Sequence, residues 1–203
     1  MPWACKHPNH SFDSESWGSC KTAFVIGAGP LGILATALLR LADVNTYVLE
    51  RKEEDHIKIK TIKKLGAKYI DIRKVNIKES FEIAGNVNII FEASGASEFA
   101  INIIPYMSRS SIYVMTGIPK GEWNATFDAH AILRQIVRHN QVIVGTVNSN
   151  KKHFEMAIKD IQKINRKFDN ILDNLVTHKF KLGEYEKYFN LQDTNQLKVV
   201  VDI

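Results

Sequence analysis

Three glycines and one acid carry most of the chemical information in this chain. Gly27, Gly29 and Gly32 stand in G-x-G-x-x-G spacing within AFVIGAGPLG, residues 23–32. The apolar run before them suits a buried strand, and ILATALLRLA after them is a strong helix former. Strand, glycine turn and helix together lift the motif above a chance match. Gly27 permits the tight turn, Gly29 lets a pyrophosphate approach the backbone, and Gly32 lets the helix pack closely on the strand. The helix start then offers free N–H groups and a positive dipole end to phosphate oxygens. Pro30 and Leu31 occupy that start. A glycine turn in an α/β domain without a ligand is the alternative reading.

The acid is Glu50. It ends the β-rich run NTYVLE and lies about 20 residues past the glycines, the spacing of a ribose-binding acid. A carboxylate there accepts both ribose hydroxyls and repels a 2′-phosphate, which favours NAD. Arg51 and Lys52 follow directly, and two cations at that point favour the 2′-phosphate of NADP. The cofactor is therefore read as NAD or NADP, with a solvated loop as the alternative role for Arg51 and Lys52.

Weaker signals lie further along. Glu92-Ala93-Ser94-Gly95 and Thr116-Gly117-Ile118 each follow an apolar run, at strand ends where open α/β sheets bind ligands. Ordinary strand-to-helix turns also use glycine. Gly145-Thr146-Val147-Asn148 ends another apolar run and offers a backbone amide and the Asn148 side chain to a nicotinamide, although an asparagine cluster is as compatible with a turn. Cys5, His7, His10 and Cys20 match no standard zinc spacing and sit in a stretch without periodicity, so a linker is preferred over a metal site. No nucleophile–base arrangement is evident.

These residues need a sheet to hold them. Apolar runs predict strands over 23–26, 46–50, 67–70, 87–91, 111–115 and 142–147. Helical periodicity predicts helices over 31–41, 53–65, 77–83, 97–107 and 129–138. Alternation of the two implies a doubly wound six-stranded parallel sheet, a Rossmann fold of the α/β class. Three segments follow: a linker over 1–20, a dinucleotide-binding domain over 21–150, and a C-terminal α+β segment over 151–203. The last has Phe154, Ile158, Ile161 and Ile164 at helical spacing, then a strand near 175–180, a short helix near 183–189 and a strand near 197–202. It is too small to bury its own apolar faces and needs a partner, either the sheet, another chain or a further domain.

Composition sets the outer limits. The chain has 203 residues, a net charge of +5 and 45% hydrophobic residues, ample for a core. The lysines are scattered rather than interleaved with aromatics, which disfavours nucleic-acid binding. No apolar run reaches the roughly 18 residues of a membrane span, and no signal peptide is evident, so a cytoplasmic location is expected. Two cysteines make no disulfide scaffold.

The segments VIGAGPLG, LERKE, FEASGA, NIIPYMSR and GTVNSNKKHFEMA, in that order, resemble the C-terminal half of the archaeal-type glucose dehydrogenases. These belong to the medium-chain zinc alcohol dehydrogenase superfamily. The resemblance covers nearly the whole chain, and Val147-Asn148 followed by His153-Phe154 is its most specific part. It implies the cofactor-binding portion of an NAD(P)-dependent glucose (aldose) 1-dehydrogenase, inactive alone, with zinc and its ligands on a catalytic domain outside this chain. Residues 151–203 would be the segment that returns to that domain. The resemblance assigns Gly27, Gly29, Pro30 and Leu31 to the pyrophosphate and Glu50, Arg51 and Lys52 to the adenosine ribose. It assigns Ser94, Thr116, Ile118, Val147 and Asn148 to the nicotinamide side, with Asn148 also touching the sugar. A homo-oligomer is expected. An inactive nucleotide-binding module, or half of another zinc-dependent alcohol or polyol dehydrogenase, remains open at this point.

Overall fold

The structure, a computed structural model, describes residues 21–124, 126–189, 193 and 195–202. The linker over 1–20, with Cys5, His7, His10 and Cys20, lies outside the described residues.

Strand and helix alternate as the apolar pattern predicts. The order is β1 (Thr22–Ile26), α1 (Pro30–Leu41), β2 (Asn45–Glu50), α2 (Ile57–Lys64), β3 (Lys68–Asp71) and α3 (Ile77–Ala84). Then come β4 (Ile89–Glu92), α4 (Ser97–Asn102), β5 (Ile112–Met115), α5 (Ala129–Arg138) and β6 (Val142–Gly145). All six strands pair in parallel in the order β3-β2-β1-β4-β5-β6. The crossover between β3 and β4 brings the sequence back past β1, so the ends of β1 and β4 flank the point where the winding reverses. Open sheets of this kind bind ligands at that point.

Both faces are covered, which is why the strands read as continuous apolar runs. Phe24, Ile26, Tyr47, Leu49, Ile90 and Tyr113 pack on one face beneath Phe81 of α3 and Phe99 of α4. Val25 and Val48 point the other way, into Ile59 and Ile62 of α2. Pairing Ile26 with Leu49 on β2 and with Glu92 on β4 brings three strand ends level, with Glu50 one residue further along β2.

The strand expected over 142–147 ends at Gly145, and three further elements differ from the sequence reading, each for a local reason. Helix α2 starts at Ile57 rather than 53, because the His56 side chain accepts the Lys58 N–H and caps the helix there. Residues 53 and 54 instead spend their carboxylates on Arg73 and Lys63. The helix expected over 97–107 ends at Asn102, and Ile104–Tyr106 forms a 3-10 turn, since Pro105 has no N–H to give. Strand β4 begins at Ile89 because the Val87 N–H is taken by the Ser108 hydroxyl (3.0 Å).

The remaining segment contains α6 (Lys151–Lys167), a 3-10 turn (Ile171–Leu175), β7 (Val176–Lys181), α7 (Tyr185–Phe189) and β8 (Lys198–Asp202). Strands β7 and β8 form a separate two-stranded parallel sheet. Part of the segment finds its partner in the first layer of helices. Ile164, Ile171, Leu172, Leu175 and Leu197 are buried with Ile33 and Ala37 of α1 and with Leu65. The Lys167 ammonium donates to Asp43 (2.7 Å) and to the Arg40 and Leu41 carbonyls, fixing the end of α6 on the end of α1. The other half of the apolar stripe is open, with Phe154 64% and Ile158 60% exposed. Among the described residues no helix is long and apolar enough to cross a membrane.

Candidate functional site

The glycine turn has the conformation its spacing requires. Gly27 holds φ +94°, a left-handed value that disfavours a side chain, and a Cβ there would stand 3.1 Å from the Ser94 Cβ. Its N–H donates to the Leu49 carbonyl (2.9 Å), so the turn is anchored to β2. A Cβ on Gly32 would lie 1.9 Å from the Gly27 carbonyl oxygen, so α1 can sit this close only with glycine. Gly29 is different, because a Cβ there would meet nothing within 4 Å. It faces open space at the N-cap of α1, with Pro30 as the first helical residue and no side-chain cap. The first intrahelical bond runs from the Ile33 N–H to the Gly29 carbonyl, so the N–H groups of Leu31 and Gly32 have no intrahelical partner. Open space before uncapped N–H groups is what a phosphate needs.

Glu50 reaches this same turn. Its Oε2 accepts the Ala28 N–H (2.8 Å) and its Oε1 accepts the Arg51 N–H (2.7 Å). The carboxylate is thus held at the mouth by the backbone on both sides. The loop after it is tied down by Tyr69, whose hydroxyl donates to the Lys52 carbonyl (2.5 Å). Burial and the Asp71 carboxylate push that hydroxyl up to about 12, so it stays protonated and donating. Arg73 is engaged beside the loop, with Nη2 2.6 Å from Asp71 and Nη1 on Glu53. Its guanidinium holds the Asp71 carboxyl down at about 2. The Arg51 side chain is exposed.

Three cavities flank the reversal point. One, of about 180 Å³, is lined by Gly27, Glu50, Arg51, Ile72, Ser94 and Phe99 among others. A larger one of about 690 Å³ shares Arg51, Ile72 and Phe99 and extends towards α3. On the other side, at the ends of β4, β5 and β6, a cavity of about 530 Å³ is lined by Glu92, Gly95, Thr116, Ile118, Trp123 and Val147. Ile118 and Val147, which both line it, are 75% and 74% exposed.

The structure therefore gathers Gly27, Glu50, Arg51 and Ser94 on one side and Thr116, Ile118 and Val147 on the other, while Gly29, Pro30 and Leu31, at the helix start just after Gly27, line neither cavity. Lys52 and Asn148 line none of these three cavities. Asn148 follows Val147 in a left-handed turn at φ 67°. The Ser94 hydroxyl is already spent, donating to Glu92 (2.6 Å) and accepting from the Ala96 N–H. Ile72, Phe99 and Trp123 escaped the sequence reading, since an apolar residue lining a cavity looks like one filling a core. Among the described residues no three His, Cys, Asp or Glu side chains cluster to hold a metal ion.

Residues 4–203 match the family described as glucose dehydrogenase C-terminus. The chain belongs to this family. It is 32% identical over 194 residues to a glucose 1-dehydrogenase of Haloferax mediterranei, covering 94% of this chain and 53% of that one. It is 31% identical over 184 residues to glucose 1-dehydrogenase 2 of Vulcanisaeta moutnovskia, covering 90% and 50%. The chain thus spans about half the length of the curated relatives it matches. The crystal structure of the Haloferax mediterranei glucose dehydrogenase superposes with a TM-score of 0.81 at 30% identity, over 95% of this chain and 52% of that one. A further structure of that enzyme is a complex with NADP, Zn and gluconolactone. The glucose dehydrogenase resemblance and the doubly wound six-stranded sheet read from the sequence are both borne out.

Proposed function

We propose that this chain is the cofactor-binding portion of an NAD(P)-dependent glucose (aldose) 1-dehydrogenase, with residues 21–150 as the dinucleotide domain and 151–203 as a segment serving a zinc-bearing catalytic domain. The observation that carries the proposal is the pairing of two features at one mouth. An open, uncapped helix start lies at Gly29, and the Glu50 carboxylate is fixed on the neighbouring Ala28 N–H.

In this reading Gly29, Pro30 and Leu31 form the pyrophosphate cradle and Gly27 fixes the turn beneath it. Glu50 accepts from the adenosine ribose, while Arg51 and Lys52 are the cations available to a 2′-phosphate. Ser94, Thr116, Ile118 and Val147 bound the nicotinamide side, and Asn148 extends from there towards the sugar. When bound, the nicotinamide supplies the hydride acceptor for the sugar C1–H, and zinc on the catalytic domain supplies the Lewis acid for the C1 hydroxyl. This chain orients the acceptor: the exposed Ile118 and Val147 side chains exclude water from one ring face, and the turn at Asn148 orders the approach to the other. Glu50 gives NAD a slight preference, with NADP still admitted through Arg51 and Lys52.

We also propose a cytoplasmic homo-oligomer. Among the described residues the outer edge of β6 has no strand beside it, and Val142 and Val144 of β6 and Leu133 and Val137 of α5 are exposed. Calorimetric titration with NADH and NADPH tests the cofactor reading. Folded protein that gives no heat with either dinucleotide refutes it. Glucose oxidation on adding a relative's zinc-bearing domain tests the enzyme reading, and a panel of alcohols and polyols tests the choice of substrate.

A further inference from the structure

Glu92 is an acid at the end of a buried strand, and it is 2% exposed. Burying a carboxylate is unfavourable unless its oxygens are hydrogen-bonded. Here four donors converge on it. Oε1 accepts the Ser94 N–H (2.7 Å), the Ser94 hydroxyl (2.6 Å) and the Gly95 N–H (2.8 Å). Oε2 accepts the Gly117 N–H (3.2 Å) from the turn after the next strand. The Glu92 carbonyl takes the Thr116 N–H (2.9 Å) and the Thr116 hydroxyl (2.7 Å) and shares the Gly117 N–H with Oε2 (3.2 Å). One residue therefore holds both strand-end turns, one with each carboxylate oxygen.

These turns meet backbone to backbone. A Cβ on Gly117 would lie 2.3 Å from both Glu92 Oε2 and the Gly95 nitrogen, and one on Gly95 would lie 2.6 Å from the Ile118 carbonyl oxygen. Ser94 in turn abuts Gly27. A shift of the carboxylate would move Ser94, Gly95 and Gly117 together, and with Gly95 the Ile118 carbonyl against it. Ser94 also lines the cavity beside Glu50, but the Glu50 carboxylate itself is held separately, by Ala28 and Arg51.

We propose that Glu92 is a positioning residue for the nicotinamide end of the site, holding the turns after β4 and β5 in one arrangement, while Glu50 at the adenosine end is anchored separately. The proposal rests on the dinucleotide reading above. A glutamine cannot replace it, because an amide offers one acceptor and its NH2 would face a donor at either Gly117 or Ser94.

The test compares two affinities in the full chain. One is for the reduced dinucleotide that the parent binds more tightly. The other is for its nicotinamide-free counterpart, ADP-ribose or the 2′-phosphate of ADP-ribose. Glu92→Gln is expected to lose about tenfold or more in dinucleotide affinity and to stay within about twofold for the counterpart. Unchanged dinucleotide affinity overturns the proposal, and so does a parallel loss for both ligands, which would mark a general structural role. If Glu92→Gln fails to fold by circular dichroism, Ser94→Ala decides, since it removes the hydroxyl's bonds to Oε1 and from the Ala96 N–H and leaves the backbone donors to Oε1. It should weaken the dinucleotide about threefold and spare the counterpart; equal affinities in parent and variant overturn the proposal. A parent chain that binds neither ligand removes the dinucleotide reading itself, an outcome distinct from any behaviour of the variants.

Discussion

Gly29→Val separates the fold from the site. The Gly29 backbone is extended, at φ −70° and ψ 178°, which any residue adopts. A Cβ meets nothing within 4 Å, and no side-chain cap bond exists to be lost. Stability should change by less than about 1 kcal/mol, the poorer N-cap preference of valine being offset by a stiffer unfolded chain. Binding should change far more. The branched side chain fills the space before the free Leu31 and Gly32 N–H groups. Losing two charge-assisted hydrogen bonds there removes about 3–4 kcal/mol, roughly a hundredfold to a thousandfold in affinity. Gly32→Ala is the control of opposite kind. Its Cβ must retreat from 1.9 Å to beyond 3.0 Å from the Gly27 carbonyl, so α1 has to move, at about 1–3 kcal/mol of stability. Thermal melts with calorimetric titration of NADH and NADPH read both variants. A Gly29→Val protein that melts like the parent and still binds the dinucleotide equally well refutes the cradle assignment.

Glu50→Asn should raise NADPH affinity relative to NADH by about 1–3 kcal/mol by removing a carboxylate–phosphate repulsion, measured by competitive titration; no relative gain would place the ribose elsewhere. Ile164→Ala should destabilise by about 2–5 kcal/mol in urea unfolding because it opens the cluster beneath α1, whereas Phe154→Ala on the open half of the same helix should stay within about 0.5 kcal/mol. Asp71 is held at about 2 in the folded chain by hydrogen bonds from Arg73, below its ordinary 3.8. Its contribution is therefore present above pH 3.8 and lost as pH falls towards 2. The melting-temperature gap between the parent and Asp71→Asn should close over that window, and a gap that is constant with pH would show that the pair does not stabilise the fold. Val144→Lys on the β6 edge should shift any oligomer towards monomer in light scattering; an unchanged mass would move the interface elsewhere.

The strand, turn and helix at residues 23–41, the acid ending β2 and the six apolar runs were all legible because their causes are local. Hydrophobic period sets the element type, and a turn of positive φ next to a close helix admits only glycine at Gly27 and Gly32. Glu50 was legible for the same reason, since it ends the next strand at a fixed spacing. What the sequence left open depends on residues far apart in the chain. Only the packed structure places Phe99 and Ile72 around the cavity beside Glu50, because cavity lining and core filling use the same apolar side chains. The partner of the C-terminal segment was likewise undecided until Ile164 and Leu172 met Ile33 and Leu65, leaving Phe154 and Ile158 open. The role of Glu92 is the clearest case. The apolar run over 87–91 puts Glu92 just past a strand and assigns it nothing; its four donors come from two turns after different strands, and only the parallel register of β4 with β5 brings them to one carboxylate.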